Sequence, residues 1–135
     1  MIQGIGLQLV SVAPYSRFLS GRGGVEVEEG WFTKAELEYC RSRGDGGQHL
    51  AARHAAKAAT LQALGLPGDN ALLSQVEVVR GALGRPEIRI SPGGVVAARA
   101  GGARVHVSLS HSGDHAVAFV VVEAWEEPDE EDKER

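Results

Sequence analysis

The 135-residue sequence contains a single cysteine, Cys40, which excludes an internal disulfide framework. It has no apolar run as long as a bilayer-spanning helix, and it does not open with the basic, apolar and small-residue segments of a secretion signal. Aromatic residues make up only 5% of the chain, and no basic patch is interleaved with them. We therefore expect a cytoplasmic protein with no membrane partner and no nucleic-acid partner.

The net charge is also small, at −4, but it is unevenly distributed between the two ends of the chain. From Glu123 to Arg135 there are eight acids and two bases, so this end carries −6 and residues 1–122 carry +2. Acidic termini that are poor in apolar residues are typical of disordered, solvated tails. We predict one domain over residues 1–123 and an acidic, disordered tail over 124–135, with a docking or autoinhibitory tail as the alternative.

The sequence does contain a pattern of strands and helices typical of one α+β domain. Residues 2–12 alternate and are rich in Ile, Leu and Val, which predicts a mostly buried strand. Residues 48–64 are rich in Ala and Leu and lack Gly and Pro, which predicts a long helix. We also predict a capping box at Thr33 and Glu36, a hairpin of strands 74–80 and 86–91, a helix start at Ser91-Pro92, and strands 104–110 and 115–124.

The predicted long helix carries the most informative motif. From His49 to Gly65 it reads HLAARHAAKAATLQALG, which resembles the signature helix of the holo-acyl-carrier-protein synthases, the small 4′-phosphopantetheinyl transferases. Segments within residues 1–10, 32–40, 76–86 and 105–120 resemble other parts of that family in the same order. The resemblance implies a phosphopantetheinyl transferase-like α+β fold, in which an antiparallel sheet packs with the long helix. It also implies a homotrimer with active sites between subunits.

Three positions depart from the family pattern where the resemblance implies chemistry. Gln8 occupies the position of a metal-binding Asp in the family. Ala58 replaces a metal-binding Glu of the family, and Gln62 replaces a Lys one helical turn later. In the family, Mg²⁺ holds the pyrophosphate of coenzyme A while a serine of the acyl carrier protein attacks the β-phosphate. Mg²⁺ takes carboxylates and phosphate oxygens, and its charge supplies much of such catalysis. We predict that no metal site remains and that transfer is lost; an active transferase with a rewired metal site is the alternative.

The resemblance also implies a retained site for coenzyme A or phosphopantetheine. Arg53 and Lys57 lie one helical turn apart, so their side chains can converge, and Arg donates two parallel hydrogen bonds to phosphate. A solvated helix face is the alternative for this pair. The residues that the resemblance places around the nucleotide and phosphates are Arg53, Lys57, Gly84, Arg85, Pro86, Ser110 and His111.

Two further sets of residues are candidates for function. The family meets acidic acyl carrier proteins with basic residues on its first helix, where this chain has Arg17 and Arg22. His54 lies four residues before Ala58, so it is a candidate general base, with aromatic filling of a cleft wall as the alternative. The predicted function is an accessory factor or repurposed enzyme of fatty-acid or polyketide biosynthesis that binds coenzyme A, phosphopantetheine or an acyl carrier protein.

The other histidines and the cysteine are interpreted as structural. Cys40 has no pattern of cationic neighbours that would make it a nucleophile. The remaining histidines, His49, His106 and His115, show no spacing that defines a metal site.

Overall fold

A computed structural model describes residues 1–22 and 27–124. Within these ranges the strands are β1 (Ile2–Ser11), β2 (Val76–Arg80), β3 (Pro86–Ile90), β4 (Arg104–His111) and β5 (His115–Glu123). The α-helices are α1 (Ala13–Leu19), α2 (Lys34–Arg41), α3 (Gly46–Ala63), α4 (Asn70–Leu73) and α5 (Val95–Ala100), with 3₁₀ turns at Glu29–Trp31 and Ala82–Gly84. The predicted α+β fold is confirmed, while the predicted tail lies outside the described residues except for Ala124.

Two antiparallel sheets form the β layer. β5 lies between β1 and β4 in a three-stranded sheet, and β2 pairs with β3 in the predicted hairpin. The capping box of α2 is present, since the Thr33 side chain accepts from the Glu36 amide and the Glu36 carboxylate accepts from the Thr33 amide. The predicted start at Ser91-Pro92 is wrong, because Gly93 adopts a φ of 81° and α5 begins at Val95 after Gly94. Of the helices in the described ranges, none has the length and apolar character to span a bilayer.

Helix α3 packs directly on the backbone of β1. A Cβ added to Gly4 would lie 1.8 Å from the carbonyl oxygen of Ala63, and one added to Gly6 would lie 1.9 Å from that of Ala59. The alanines of α3 that face the core, among them Ala55 and Ala59, are fully buried. Small residues on both elements therefore set the distance between the helix and the sheet.

The opposite face of this sheet is apolar and exposed. The odd-numbered residues of β1 point outward, and Ile5, Leu7 and Leu9 are 54–68% exposed, so the strand is not mostly buried as predicted. Strand pairing places Leu7 beside Phe119, which is 43% exposed, and Phe119 beside Ser108. We call the surface formed by these three rows the outer sheet face: Ile5–Val121–His106, Leu7–Phe119–Ser108 and Leu9–Val117–Ser110.

Candidate functional site

A cleft with a cavity volume of about 160 Å³ opens between α3, the β2–β3 hairpin and the end of β4. It brings together four of the residues predicted to meet coenzyme A, namely Arg53, Gly84, Pro86 and His111. We call it the arginine cleft. Its lining is Tyr39, His49, Ala52, Arg53, Val78, Val79, Arg80, Gly84, Pro86, Leu109 and His111.

Three guanidinium groups surround the Tyr39 ring beside this cleft. The Cζ atoms of Arg53, Arg80 and Arg43 lie 4.5, 5.4 and 5.5 Å from the ring centroid. The negative face of an aromatic ring attracts such cations at this range. The ring therefore helps to hold several positive charges together without neutralising them, which favours an anionic ligand.

Arg53 has a hydrogen-bonding group left over. Its side chain is nearly buried, with the residue 6% exposed, and Nη1 donates to the His49 carbonyl oxygen at 3.4 Å. Its Nε is buried and has no hydrogen-bond partner. Leaving a buried donor of a charged group unpaired is unfavourable, and a phosphate oxygen would satisfy it. The residues of the arginine cleft therefore fit the phosphate groups of a nucleotide such as coenzyme A.

Two histidines lie at the mouth of the arginine cleft. Their ring centroids are 5.0 Å apart, and Nδ1 of His111 lies 2.7 Å from Oε1 of Gln48. Burial lowers the pKa of His49, and the charge of Asp45 opposes that shift. His49 therefore lies beside the ligand-binding surface, rather than in the purely structural position expected from its spacing.

The prediction that Lys57 converges with Arg53 in a phosphate site is wrong. Lys57 is fully buried, and its Nζ lies 2.7 Å from Oε1 of Glu36. The same ammonium donates to the carbonyl oxygens of Val76 at 2.6 Å, Trp31 at 2.9 Å and Leu73 at 3.3 Å. Burial lowers the pKa of Lys57 and the Glu36 carboxylate opposes that shift. These partners use its donors, so Lys57 joins structural elements in the core.

Four other candidates lie away from the arginine cleft. Ser110 is on the outer sheet face, and Arg85 lines a separate groove between β3 and β4. Arg17 lies in the last turn of α1 and Arg22 follows the helix, with both residues exposed. Contact of Ser110 and Arg85 with a nucleotide, and of the two arginines with a carrier protein, stays a prediction.

His54 lies in an aromatic cluster. Its ring centroid is 4.9 Å from Trp31, 5.6 Å from Tyr15 and 6.5 Å from Phe32, and its Nδ1 is hydrogen-bonded to the Tyr15 hydroxyl. Burial, with a smaller contribution from Lys57, lowers the pKa of His54 to about 4. An imidazole with so low a pKa is a weak base at neutral pH. The geometry thus favours the alternative in which His54 fills aromatic space.

Cys40 is fully buried, and burial raises the pKa of its thiol to about 11. Its thiol is therefore protonated at neutral pH, which agrees with the structural interpretation of this residue.

Two of the three positions that depart from the family pattern, Gln8 and Gln62, meet at the edge of β1. Oε1 of Gln62 accepts from Nε2 of Gln8 at 3.0 Å and from the Leu7 amide at 2.9 Å. Ala58, one turn earlier on α3, contributes a methyl group. Mg²⁺ prefers carboxylate and phosphate oxygens, and these residues offer neutral amides already bonded to one another. The donor set therefore does not fit Mg²⁺.

The sequence did not lead us to assign three of the cleft residues to the site, namely Tyr39, Arg80 and His49. Arg80 is the last residue of β2, within the hairpin segment that resembles the family, so its position near Gly84 could have been inferred from the sequence. His49 precedes Arg53 by four residues, which puts both on one face of α3. Only the folded chain, however, shows Tyr39 between the arginines, because α2 meets α3 through tertiary packing.

Known proteins resemble this chain over nearly its whole length, although no protein-family model matches it. It is 38% identical over 125 residues to the holo-(acyl-carrier-protein) synthase of Geotalea daltonii, covering 91% of this chain and 99% of that protein. The holo-(acyl-carrier-protein) synthase structure from Neisseria meningitidis aligns with a TM-score of 0.75 and 32% identity, covering 92% of this chain and 100% of that one. A Bacillus anthracis holo-(acyl-carrier-protein) synthase in complex with CoA (3′,5′-ADP) aligns with a TM-score of 0.72 and 27% identity. That alignment covers 93% of this chain and 99% of the Bacillus anthracis chain. On this similarity and the shared fold, the chain belongs to the holo-(acyl-carrier-protein) synthase family.

Proposed function

We propose that this chain binds coenzyme A through the arginine cleft and meets an acyl carrier protein without transferring the phosphopantetheine arm. The observation that supports coenzyme A binding is the Nε of Arg53, which is buried beside Arg80 and Tyr39 and has no hydrogen-bond partner. The coenzyme A complex of the Bacillus anthracis relative supports the choice of ligand. In this function the arginines hold phosphate, and the protein acts as an accessory factor or a repurposed enzyme of fatty-acid or polyketide assembly in the cytoplasm.

Loss of transfer is inferred from the side chains at three positions. Phosphoryl transfer depends on positive charge that stabilises the transferring group. Gln8, Ala58 and Gln62 contribute neither the carboxylates that hold a metal ion nor a cation of their own. Of the two amides, the Gln62 oxygen is already engaged, since it accepts from Nε2 of Gln8.

A second candidate function is an active holo-(acyl-carrier-protein) synthase with a rewired metal site. The observation in its favour is that a relative named holo-(acyl-carrier-protein) synthase, from Geotalea daltonii, is 38% identical to this chain over 91% of its length. Such a chain would carry out the family reaction despite its neutral amides. The two candidates share coenzyme A and the acyl carrier protein and differ only in the transfer step.

A homotrimer is part of the proposed function. The arginine cleft, at about 160 Å³, is smaller than the pockets of about 300–1,000 Å³ that enclose drug-sized ligands. A neighbouring copy would complete it, in line with the sites between subunits that the family resemblance implies. The outer sheet face supports this assembly, because a contiguous exposed apolar patch is typical of an interaction surface.

The binding experiment is calorimetric titration of the untagged chain with 3′,5′-ADP. Arg53→Met and Arg80→Ala are expected to weaken binding by about tenfold or more, because each removes a charged donor. Arg89→Ala is the matched control, since this arginine lies on β3 with a 71% exposed side chain and does not line the cleft. Failure of the wild-type chain to bind 3′,5′-ADP contradicts the proposed ligand.

The transfer experiment is intact-protein mass spectrometry of an apo acyl carrier protein incubated with the chain, coenzyme A and Mg²⁺. An active family member serves as the control. We expect no mass increase with the wild-type chain and a phosphopantetheine increase with the double variant Gln8→Asp and Ala58→Glu. An increase with the wild-type chain contradicts the loss of transfer and selects the second candidate.

A further inference from the structure

Three side chains at the mouth of the arginine cleft form a group with the composition of a transition-metal site. Asp45 and His49 are four residues apart at the start of α3, and His111 ends β4. Each of the three side chains offers one potential ligand atom, and these three atoms all lie within 4.8 Å of one another. Residues 1–22 and 27–124 contain no second group of three His, Cys, Asp or Glu side chains gathered in this way.

The contact between Asp45 and His49 has the spacing of two ligands that share an ion. Nε2 of His49 lies 3.1 Å from Oδ1 of Asp45, yet this buried nitrogen has no aligned hydrogen-bond partner. In a tetrahedral zinc site with bonds of about 2.1 Å, neighbouring ligand atoms are about 3.4 Å apart. The pair is therefore close to the geometry of coordination, and the same nitrogen lies within ion-pair distance of Asp45.

The third ligand is oriented by a neighbour. Nδ1 of His111 lies 2.7 Å from Oε1 of Gln48, and an amide oxygen only accepts, so this nitrogen donates. The proton on Nδ1 leaves the lone pair of Nε2 free. Metal-binding histidines commonly have such a partner, which fixes both the tautomer and the direction of the ring.

We propose that Asp45, His49 and His111 bind a first-row transition-metal ion, of which Zn²⁺ is the probe. Two imidazoles and one carboxylate suit such ions and leave room for a water or phosphate oxygen. Arg43 and Arg53 lie near His49 and oppose the charge of the ion, while Asp45 offsets part of it. The site differs in place and chemistry from the Mg²⁺ position at Gln8 and Ala58, and it does not depend on the proposed function.

The test uses the full, untagged chain without nucleotide. Calorimetry with Zn²⁺ is expected to give one ion per chain, and Co²⁺ is expected to give the strong visible absorption of low-symmetry, four-coordinate sites. Asp45→Asn, His49→Ala and His111→Ala are each expected to weaken Zn²⁺ binding by at least about tenfold. The matched controls are His106→Ala and His115→Ala, which replace exposed histidines outside the group and leave Zn²⁺ affinity unchanged.

Two results overturn the proposal. One is the absence of stoichiometric Zn²⁺ binding by the wild-type chain, and the other is binding that survives both Asp45→Asn and His111→Ala. His49 is half-buried, so its variant is judged only if circular dichroism shows that it folds. The Asp45 and His111 variants carry the test if it does not.

Discussion

At the scale of single residues, the surroundings of His54 keep its ring neutral and make stability depend on pH. Its pKa falls from 6.5 to about 4, chiefly because the ring is buried. Such a histidine stabilises the fold above its unfolded pKa and loses that contribution as the pH falls toward the folded pKa. We expect this ring to lower the free energy of unfolding by up to about 3 kcal/mol between pH 6.5 and about 4.

The measurement is urea unfolding at a series of pH values for the wild-type chain and His54→Phe. Phenylalanine keeps a ring among Tyr15 and Trp31 but cannot take up a proton, so the variant is expected to lose this part of the pH dependence. His115→Phe, at an exposed position at the start of β5, is the control. A wild-type pH dependence in His54→Phe would exclude this ring as the group that titrates.

At the scale of secondary-structure elements, the Glu36–Lys57 pair joins α2, α3 and β2. One carboxylate oxygen of Glu36 meets Lys57 and the Thr33 amide, and the other accepts from the Val78 amide at 2.9 Å. Lys57→Met would leave the carboxylate buried without its cation, which costs about 3–5 kcal/mol in such sites. We expect the free energy of unfolding to fall by that amount.

Chemical unfolding at neutral pH measures this effect, with Lys34→Met as the matched control. Lys34 has a 91% exposed side chain and lies 4.0 Å from Glu38, so its loss is expected to change stability by less than about 1 kcal/mol. Adding Glu36→Gln to Lys57→Met removes the stranded charge and is expected to restore part of the loss. Equal effects of the Lys34 and Lys57 variants would contradict a structural role for the pair.

The same elements show how far the sequence allowed prediction. Helix α3 was predictable because its residues favour helix and lack internal breakers, whereas α4 has only four residues and too little pattern to detect. The spacing of Arg53 and Lys57 fixes a shared stripe on the helix, but not the direction that each flexible side chain takes. Lys57 turns to Glu36 because a buried carboxylate attracts it, and no local pattern records that distant partner.

At the scale of the whole molecule, the outer sheet face is expected to be the contact between copies. Leu7→Glu places a charge in the central row beside Phe119, where burial in an assembly would strip it of water. Light scattering after size exclusion is expected to give a trimer for the wild-type chain and a monomer for this variant. Val95→Glu is the control, because Val95 is similarly exposed, 56% against 58%, but lies on α5.

A trimer that persists in Leu7→Glu would place the contact elsewhere on the molecule. The strand prediction at residues 2–12 bears on the same question. The alternating pattern located the strand, yet a sequence does not say whether its second apolar face meets the same chain or another one. Ile5, Leu7 and Leu9 are exposed in one copy and would be covered in an assembly.

The hydrogen bond from the Leu7 amide to Gln62 has a consequence for solubility. β1 is one of the two edge strands of its sheet, and a bare strand edge is a template for uncontrolled pairing with other chains. By accepting from that amide, Gln62 occupies a donor that an incoming strand needs. Gln62 thus covers the edge of β1 at one position, and we expect a shorter side chain there to leave the Leu7 amide open to pairing with another chain.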